Sequence, residues 1–370
     1  QVAQAVSNRT SLPILGHVLL EAERGKLWLS TTDLEVGVRV SVPAALKNFA
    51  RVTVPCALLR SALKSAKGAL TLVNGQDDTV RLLLDGAESS ILGLPADEFP
   101  TLPDVKHRGM VSWPQLGDML KSIAGAVGID ESRAILTGVM IDAENICSTD
   151  THRLHVIKHG MDLSGIIPAA RSLGTSVDGE ELFGQQAVII PGRVCNMLLK
   201  ALDCKGAAVS VGFSESLAIF QLGDAVLISR LIEGQFPNFE KVIPDPDVYS
   251  CEIIADKEAM LSALSQVATV AAENSNRVLI CGGANGKLAI RASSGHAGDT
   301  QAVVDAEQDC RWADGLHTAL SCKYLTEALQ FVGGDRVRLR STGVLNQFRI
   351  ESESLPAWGR LAVVMPMQIS

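Results

Sequence analysis

Hydrophobic and polar positions follow one pattern that recurs three times along the chain. A strand-like apolar run ends at Pro or Ser, and an amphipathic stretch with apolar residues three and four positions apart follows it. Because Pro and Ser suit the first turn of a helix, the pattern predicts a strand that leads into a helix. The copies span residues 51–64, 187–200 and 317–330, and they begin 136 and 130 residues apart. A repeat of this length predicts three domains of one plan.

A second recurring segment marks where the repeats end. Residues 91–100 and 228–237 both begin with Ile, end in Phe-Pro and precede a proline-containing connector. Short alternating strands with turn dipeptides such as Asn74-Gly75 fill the rest of each repeat. We therefore predict an α+β fold with domains at 1–107, 108–243 and 244–370, each with about two helices and several antiparallel strands. No copy of the repeat is clearly more elaborate than the others. Such a tandem repeat usually builds a binding surface rather than one catalytic pocket.

Composition places the chain among globular proteins. Its 370 residues are 47% hydrophobic with a mean hydropathy of +0.22, which excludes a disordered chain. No apolar run approaches the ~18 residues of a membrane span, and the start has no signal-peptide pattern, so we expect a soluble, cytoplasmic protein. Eight isolated cysteines without a C-x-x-C motif predict reduced thiols rather than a disulfide framework or a zinc site.

Net charge and charge distribution point in different directions. A formal charge of −8 argues against a protein that holds nucleic acid by bulk charge. Yet predicted helix 55–68 carries +3 and predicted helix 191–205 carries +2, whereas helices at 114–128, 256–273 and 320–333 carry 0, −2 and 0. The rest of the chain therefore carries −11. The counts alone fit solvated helix faces as well as a cationic binding surface.

Catalytic motifs are scarce in this sequence. The segment nearest to a phosphate loop, 281–288, lacks its first Gly and its Ser/Thr, so a hairpin turn explains it better. One polar cluster contains Asp150, His152 and His155, which could bind zinc or supply a general base. The two histidines are three apart on a predicted strand and turn and would face opposite sides. A structural turn, in which Asp150 bonds backbone amides and Arg153 braces a groove, is favoured, and a metal-dependent enzyme remains the alternative.

Six short motifs stand in a fixed order along the chain. They are 12–15 (LPIL), 32–35 (TDLE), 94–100 (LPADEFP), 149–154 (TDTHRL), 234–244 (GQFPNFEKVIP) and 363–367 (VVMPM). In these motifs, and over essentially its whole length, the sequence resembles the bacterial β sliding clamp family, the processivity subunit of DNA polymerase III. The resemblance implies three tandem DNA-clamp domains, each with helices on one face of an antiparallel sheet, that form half of a closed ring. It implies no catalysis, 3′–5′ exonuclease activity, cofactor or metal.

A clamp of this family is a head-to-tail homodimer that encircles duplex DNA without sequence preference and tethers the replicative polymerase. Phosphate attraction is independent of sequence, so a few cationic contacts allow sliding. The DNA-facing residues that the resemblance implies are Arg9, Arg60, Lys64, Lys67, Lys121, Arg133, Arg193 and Lys200. The implied dimer contact joins the strand around Ser89, Ser90 and Ile91 to the segment around Val270, Ala271 and Ala272 of a second copy.

The family's second site is an apolar groove that accepts short peptides from polymerases, the clamp loader and repair proteins. Matching positions are Leu136, Thr149, Thr151, His152, Arg153, Leu154, Pro237, Val242, Tyr324, Val363, Val364, Met365, Pro366 and Met367. Flexible Met side chains suit a groove that receives different apolar groups. Thr151 stands where the family commonly has Gly, Gln368 where it has Arg, and Asp130 where an uncharged residue is common. The match also begins inside the first helix, so we expect the first strand of domain 1 to be missing from this numbering.

Overall fold

The computed structural model describes residues 2–6, 12–45, 51–64, 68–84, 86–169, 172–175, 181–183, 186–203, 208–312, 315–354 and 359–368. The chain divides into two compact units. Unit 1 comprises Gln1–Asp118, Ser164–Pro168 and Arg193–Ile232, and unit 2 comprises Met119–Leu163, Ala169–Gly192 and Glu233–Ser370. No helix in the described ranges is long and apolar enough to cross a bilayer.

Strands make up most of the regular structure. In chain order they are β1 (His17–Glu23), β2 (Lys26–Thr32), β3 (Val36–Pro43), β4 (Val52–Pro55), β5 (Thr71–Asn74), β6 (Thr79–Leu84), β7 (Ala87–Leu92), β8 (Val111–Trp113), β9 (Gly138–Asp142), β10 (Asn145–Thr149), β11 (Arg153–Lys158), β12 (Ser172–Thr175), β13 (Glu181–Phe183), β14 (Ala187–Pro191), β15 (Val209–Phe213), β16 (Leu217–Leu222), β17 (Ala225–Arg230), β18 (Cys251–Asp256), β19 (Arg277–Gly282), β20 (Lys287–Ser294), β21 (Gly298–Cys310), β22 (His317–Ser321), β23 (Arg336–Ser341), β24 (Phe348–Ser352) and β25 (Arg360–Val364).

The α-helices confirm all five predicted positions, with shorter bounds. They are α1 (Cys56–Lys64), α2 (Leu116–Ile123), α3 (Gly192–Asp203), α4 (Lys257–Ala272) and α5 (Cys322–Val332). Short 3-10 helices cover Val2–Ala5, Pro13–Gly16, Ala96–Glu98, Ala124–Ala126, Glu131–Leu136, Phe239–Val242 and Ala284–Gly286. In each repeat the predicted Pro or Ser ends the strand directly before the helix. Ser321 also caps α5, because its Oγ accepts a hydrogen bond from the Tyr324 amide at 3.4 Å.

Antiparallel pairing orders the strands into two long sheets. Unit 1 contains the sheet β4-β1-β2-β3-β17-β16-β15-β8 and the smaller sheet β5-β6-β7. Unit 2 contains the sheet β14-β9-β10-β11-β25-β24-β23-β18-β21-β20-β19-β22 and the pair β12-β13. Each long sheet therefore continues through a junction of strands that are distant in sequence, β3 with β17 and β11 with β25. These junctions were not predicted from the sequence.

Each unit buries apolar side chains between helices and sheet. In unit 1, Leu59 of α1 packs into a core that includes Leu20 of β1 and Val54 of β4. In unit 2, α4 packs against β20 and β21, and α5 against β24 and β25, with Leu264 and Leu325 fully buried. Burying such side chains supplies most of the stabilising free energy of a domain, roughly 1.5–3 kcal/mol each. The helices and sheets confirm the predicted α+β class.

Candidate functional site

The turn between β10 and β11 is built on Asp150. One carboxylate oxygen, Oδ1, accepts hydrogen bonds from the amides of His152 (3.0 Å) and Arg153 (3.1 Å). The Thr149 hydroxyl donates to the Arg153 carbonyl at 2.6 Å. An Asp side chain that satisfies the amides two and three residues ahead is a standard way to close a turn. The predicted structural turn is confirmed.

Thr151 occupies an unusual backbone conformation at the tip of this turn. Its φ is +77°, in the left-handed region where a side chain crowds the backbone and glycine does not. For a β-branched residue this conformation costs on the order of 1–2 kcal/mol. The Thr151 amide donates to the Thr149 hydroxyl at 3.2 Å, which helps to hold it there. The Gly that the resemblance implies at this position would adopt the same φ without this cost.

Arg153 is a buried cation between two carboxylates. Its side chain is 6% exposed, and its Nε donates to Asp150 Oδ2 at 2.9 Å. Its Nη1 donates to the Glu327 carboxylate of α5, and its Cζ lies 4.3 Å from the centre of the Tyr324 ring. Arg153 therefore ties β11 to α5. Glu327 carries no sequence signal of its role, since it lies 174 positions away.

The C-terminal strand β25 completes this side of the site. In the β11–β25 pairing, Leu154 lies opposite Val363, and Arg153 lies opposite Val364. The Met365 amide donates to the His152 carbonyl at 2.9 Å, and the His152 and Tyr324 rings stack 6.2 Å apart at 18°. The Met367 amide donates to the Ala319 carbonyl at 2.8 Å, and Pro366, between the two methionines, is half-buried. The structure thus brings most of the predicted groove residues together.

The connector after Gly234 supplies the other predicted groove residues. A Cβ on Gly234 would stand 2.7 Å from Ile135 Cγ2, so the connector passes directly beside the 3-10 helix Glu131–Leu136, whose last residue is buried. Pro237 is exposed and precedes the 3-10 helix Phe239–Val242, whose last residue is 41% exposed. The Gln347 side-chain amide donates to the Val242 carbonyl at 3.1 Å. Gln347 was not predicted from the sequence.

The connector also lies over the sheet. Phe239 and Ile243 line a cavity of about 480 Å³ together with Val156 of β11 and Leu361 of β25. Val156 of β11 and Leu361 of β25 lie opposite each other. On the same two strands, the opposed pair Leu154 and Val363 is two positions away. Residues two apart on a strand share a face of the sheet. The connector and the Leu154–Val363 pair therefore lie on one face of the sheet.

The alternative of a metal-dependent enzyme is not supported. His155 is 1% exposed and stacks on Phe331 at 4.2 Å, on the helix side of the sheet, while His152 is exposed. Neither ring nitrogen of His155 has a hydrogen-bond partner within the described part of the chain. Burial, helped by the nearby Arg153 charge, lowers the pKa of His155 to about 3. A search of the described residues finds no cluster of three or more His, Cys, Asp or Glu side chains arranged to hold a metal.

His155 should make the protein sensitive to acid. Its pKa is about 3 in the folded chain and about 6.5 when unfolded, so protons bind preferentially to the unfolded chain between these values. Stability that is present above pH 6.5 is lost as the pH falls, by about 2 kcal/mol between pH 7.5 and pH 5. His155→Phe should lack this component in urea unfolding at the two pH values. His152→Phe, at an exposed position, is the control, and equal pH dependence of wild type and His155→Phe would contradict the prediction.

The implied DNA-facing cations are exposed wherever the structure describes them. In unit 1, Arg60 and Lys64 lie on α1, and Arg193 and Lys200 on α3; in unit 2, Lys121 lies on α2 and Arg133 in the 3-10 helix Glu131–Leu136. Arg9 and Lys67 lie outside the described residues.

Two of these cations have carboxylate partners. Arg193 Nη1 lies 2.7 Å from Asp33 Oδ2, and Arg133 Nε lies 3.3 Å from Asp130 Oδ2. Asp130 also accepts a hydrogen bond from the Ser132 amide, so its carboxylate has a local structural role. Both arginine side chains are about half exposed, and exposed ion pairs contribute little stability. A phosphate can therefore compete for either guanidinium.

The implied dimer residues lie beside open strand edges. Among the described residues β7 pairs only with β6, and residues 298–305 of β21 pair with β20 on one edge alone. Ser89 and Ser90 are exposed, but the Ile91 side chain is 8% exposed and belongs to the unit 1 core. At the end of α4, Ala271 is fully buried, Val270 is half-buried and Ala272 is exposed. The side chains of Ile91 and Ala271 face their own cores, and the implied dimer contact stays a prediction.

Three sequence models of one family match the chain. They describe the DNA polymerase III beta subunit: its N-terminal domain matches residues 1–103, its central domain 169–238 and its C-terminal domain 241–368. The "Beta sliding clamp" of Synechococcus elongatus is 28% identical over 351 residues, which cover 92% of this chain and 88% of that protein. That of Bacillus subtilis is 27% identical over 367 residues, which cover 95% and 92%.

Solved structures show the same fold. The DNA polymerase sliding clamp from Bacillus subtilis matches with a TM-score of 0.85 at 22% identity, covering 100% of this chain and 95% of that one. A sliding clamp from Bartonella birtlesii, bound to griselimycin, matches with a TM-score of 0.84 at 23% identity and the same coverage. Since the three models cover most of the chain in the family's order, this protein belongs to the DNA polymerase III beta subunit family, the β sliding clamps.

Proposed function

We propose that this protein is a replicative sliding clamp, a cytoplasmic homodimer that closes head to tail around duplex DNA. It is non-catalytic, and it tethers the replicative polymerase so that synthesis is processive. Each copy contributes three clamp domains, at 1–107, 108–243 and 244–370. The observation that carries this proposal is a pairing between the last strands of two three-stranded runs. The chain makes this pairing twice within itself, and two further runs of the same kind have last strands whose outer edges are open.

The two complete junctions are built alike. β3 ends the run β1-β2-β3 and pairs on its far edge with β17, the last strand of β15-β16-β17. β11 ends the run β9-β10-β11 and pairs in the same way with β25, the last strand of β23-β24-β25. The run β19-β20-β21 corresponds to the first run of each junction, and the run β5-β6-β7 corresponds to the second. Their last strands, β21 and β7, are not paired with each other.

A second copy can complete the third junction. Within the described residues, the outer edges of β7 and of residues 298–305 of β21 have no strand partner, and such edges favour pairing with another strand. Because the two edges belong to different strands, the contact is head to tail. Two such junctions would close a ring of two copies.

Charge supports DNA as the molecule inside such a ring. The described cations on α1 and α3 are exposed, and the chain outside the five predicted helices carries a net charge of −11. A mildly cationic lining attracts phosphates regardless of sequence, and an acidic exterior discourages adhesion elsewhere. Enclosure can then hold the DNA while allowing the protein to slide.

Retention on DNA of different topology tests the ring. Loaded by its clamp loader onto nicked circular DNA, the protein should stay bound through gel filtration and should be lost when a restriction enzyme linearises the circle. Sedimentation should show a dimer at micromolar concentration. Equal retention on linear and circular DNA, or a monomer only, would overturn the proposed function.

We further propose that the groove formed by the β10–β11 turn, the connector and β25 binds short peptides of the clamp loader, polymerases and repair proteins. Val242 and the half-buried Met365 give it apolar surface, and exposed His152 gives it a polar rim. Met365→Ala should weaken binding of a clamp-binding peptide by roughly 1–2 kcal/mol, as expected for an anchor-pocket residue. Calorimetry with the peptide measures this, and unchanged affinity with an intact dimer would show that the groove is misplaced.

A further inference from the structure

Two cysteines that look unrelated in the sequence meet across a pair of strands. Cys251 begins β18 and Cys310 ends β21, and the register of these antiparallel strands places them directly opposite each other. Opposed residues in such a pair point to the same face of the sheet. The two side chains are thus neighbours.

Hydrogen bonding shows which kind of pair this is. The Arg311 amide donates to the Ser250 carbonyl at 2.8 Å, one position outside the two cysteines. This bond identifies Cys251 and Cys310 as a non-hydrogen-bonded pair, the kind in which opposed Cα atoms approach to about 4.5 Å. A disulfide spans Cα separations of about 4.4–6.8 Å. The strands therefore need little movement to form a disulfide.

The two thiols differ in exposure. Cys251 is fully buried, and Cys310 is half-buried at the end of its strand. Burial, with the hydrogen bond to Cys310 and the carboxylates of Asp309 and Glu252 adding to it, raises the pKa of the Cys251 thiol. A dissolved oxidant therefore meets Cys310 first, and Cys251 is placed to act second.

We propose that Cys251 and Cys310 form a reversible disulfide when the protein meets a peroxide. The peroxide oxidises the Cys310 thiol to a sulfenic acid and is reduced to water or an alcohol. The Cys251 sulfur then attacks the Cys310 sulfur, which forms the S–S bond and breaks the S–O bond of the sulfenic acid. The hydroxyl group that leaves takes up the proton of the Cys251 thiol and is released as water. A dithiol reductant reopens the bond. The proposal rests on strand register and holds whether or not two copies form a ring.

Cys281 provides a matched control within the same unit. It is also half-buried on a strand, but its cross-strand neighbours are Ala289 in β20 and His317 in β22. The same oxidant can therefore reach a thiol of similar exposure that has no cysteine opposite it. Its product should stop at the sulfenic acid or a mixed disulfide.

Peptide mass spectrometry of the full chain tests the proposal. The reduced protein is treated with hydrogen peroxide under native conditions, and its remaining thiols are alkylated before digestion. Wild type should yield the Cys251 peptide linked to the Cys310 peptide, two hydrogen masses lighter than the separate peptides, and dithiothreitol should separate them. In Cys310→Ser the link should be lost, and Cys251 should stay reduced.

Two results would overturn the assignment. One is that Cys251 and Cys310 remain thiols under conditions that oxidise Cys281. Another is that Cys310 accumulates as sulfinic acid while Cys251 remains free. The wild-type measurement decides between these outcomes by itself, so the proposal can be tested even if Cys310→Ser fails to fold.

Discussion

Arg153→Ala should lower the free energy of unfolding by about 3 kcal/mol, the lower end of the range for breaking a buried ion pair. The substitution leaves the carboxylates of Asp150 and Glu327 facing each other without their cation. It also removes the guanidinium from the Tyr324 ring. The lower end applies because Glu327 is still 30% exposed and water can solvate it in part. Urea unfolding at pH 7.5 measures the change.

Two further variants show that the loss comes from buried charge. Arg311→Ala removes an exposed ion pair with Asp309 and should cost less than about 1 kcal/mol. Arg153→Lys keeps the charge but loses the two-sided hydrogen bonding, so its stability should lie between wild type and Arg153→Ala. Similar losses for Arg153→Ala and Arg311→Ala would contradict the assignment of Arg153 as the brace of the turn. Peptide affinity should fall in parallel with the loss of the brace.

Leu92→Lys should raise the dimer dissociation constant about 100-fold, which corresponds to about 2.7 kcal/mol. Leu92 is the last residue of β7 and is 68% exposed, beside the open edge proposed to pair with a second copy. A Lys there would place a charge in the contact, and edge lysines oppose strand pairing. Sedimentation equilibrium measures the constant, and retention on circular DNA should decline with it.

Val248→Lys is the control for this change. Val248 is 60% exposed and lies outside both strands that we propose to pair, β7 and β21, so Lys there should leave the dimer unchanged. Because Leu92 faces solvent in the single copy, its substitution should not lower the unfolding free energy of unit 1 by more than about 0.5 kcal/mol. A dimer as tight as wild type in Leu92→Lys would mean that β7 is not at the interface.

Local sequence patterns were enough for the elements whose physics is local. All five predicted helices are present, because apolar residues at helical spacing follow a strand in each repeat. The turn at 149–153 was predicted from Asp150, whose carboxylate reaches amides two and three residues ahead. The motifs of the family led to groove positions that the structure places on neighbouring strands, such as Leu154 and Val363.

Several features of the sites depend on residues far apart in the chain. Glu327 and Gln347 join the groove region through hydrogen bonds that no spacing rule predicts. Arg193 pairs with Asp33, which lies 160 positions away in the sequence. The net charge counted for its helix therefore overstates the positive charge that this residue presents to a ligand. Ile91 and Ala271 face their own cores, although Ser90 and Ala272 beside them are exposed.

By itself the sequence determined the repeated strand–helix plan, the α+β class, the cationic character of two helices and the family, because these depend on local periodicity, composition and short motifs. Only the tertiary structure decided which strand edges are paired and which are open, which cations meet carboxylates, and that Cys251 lies opposite Cys310. Strand register and long-range contacts depend on the packing of the whole unit, since each strand can satisfy its backbone with many partners.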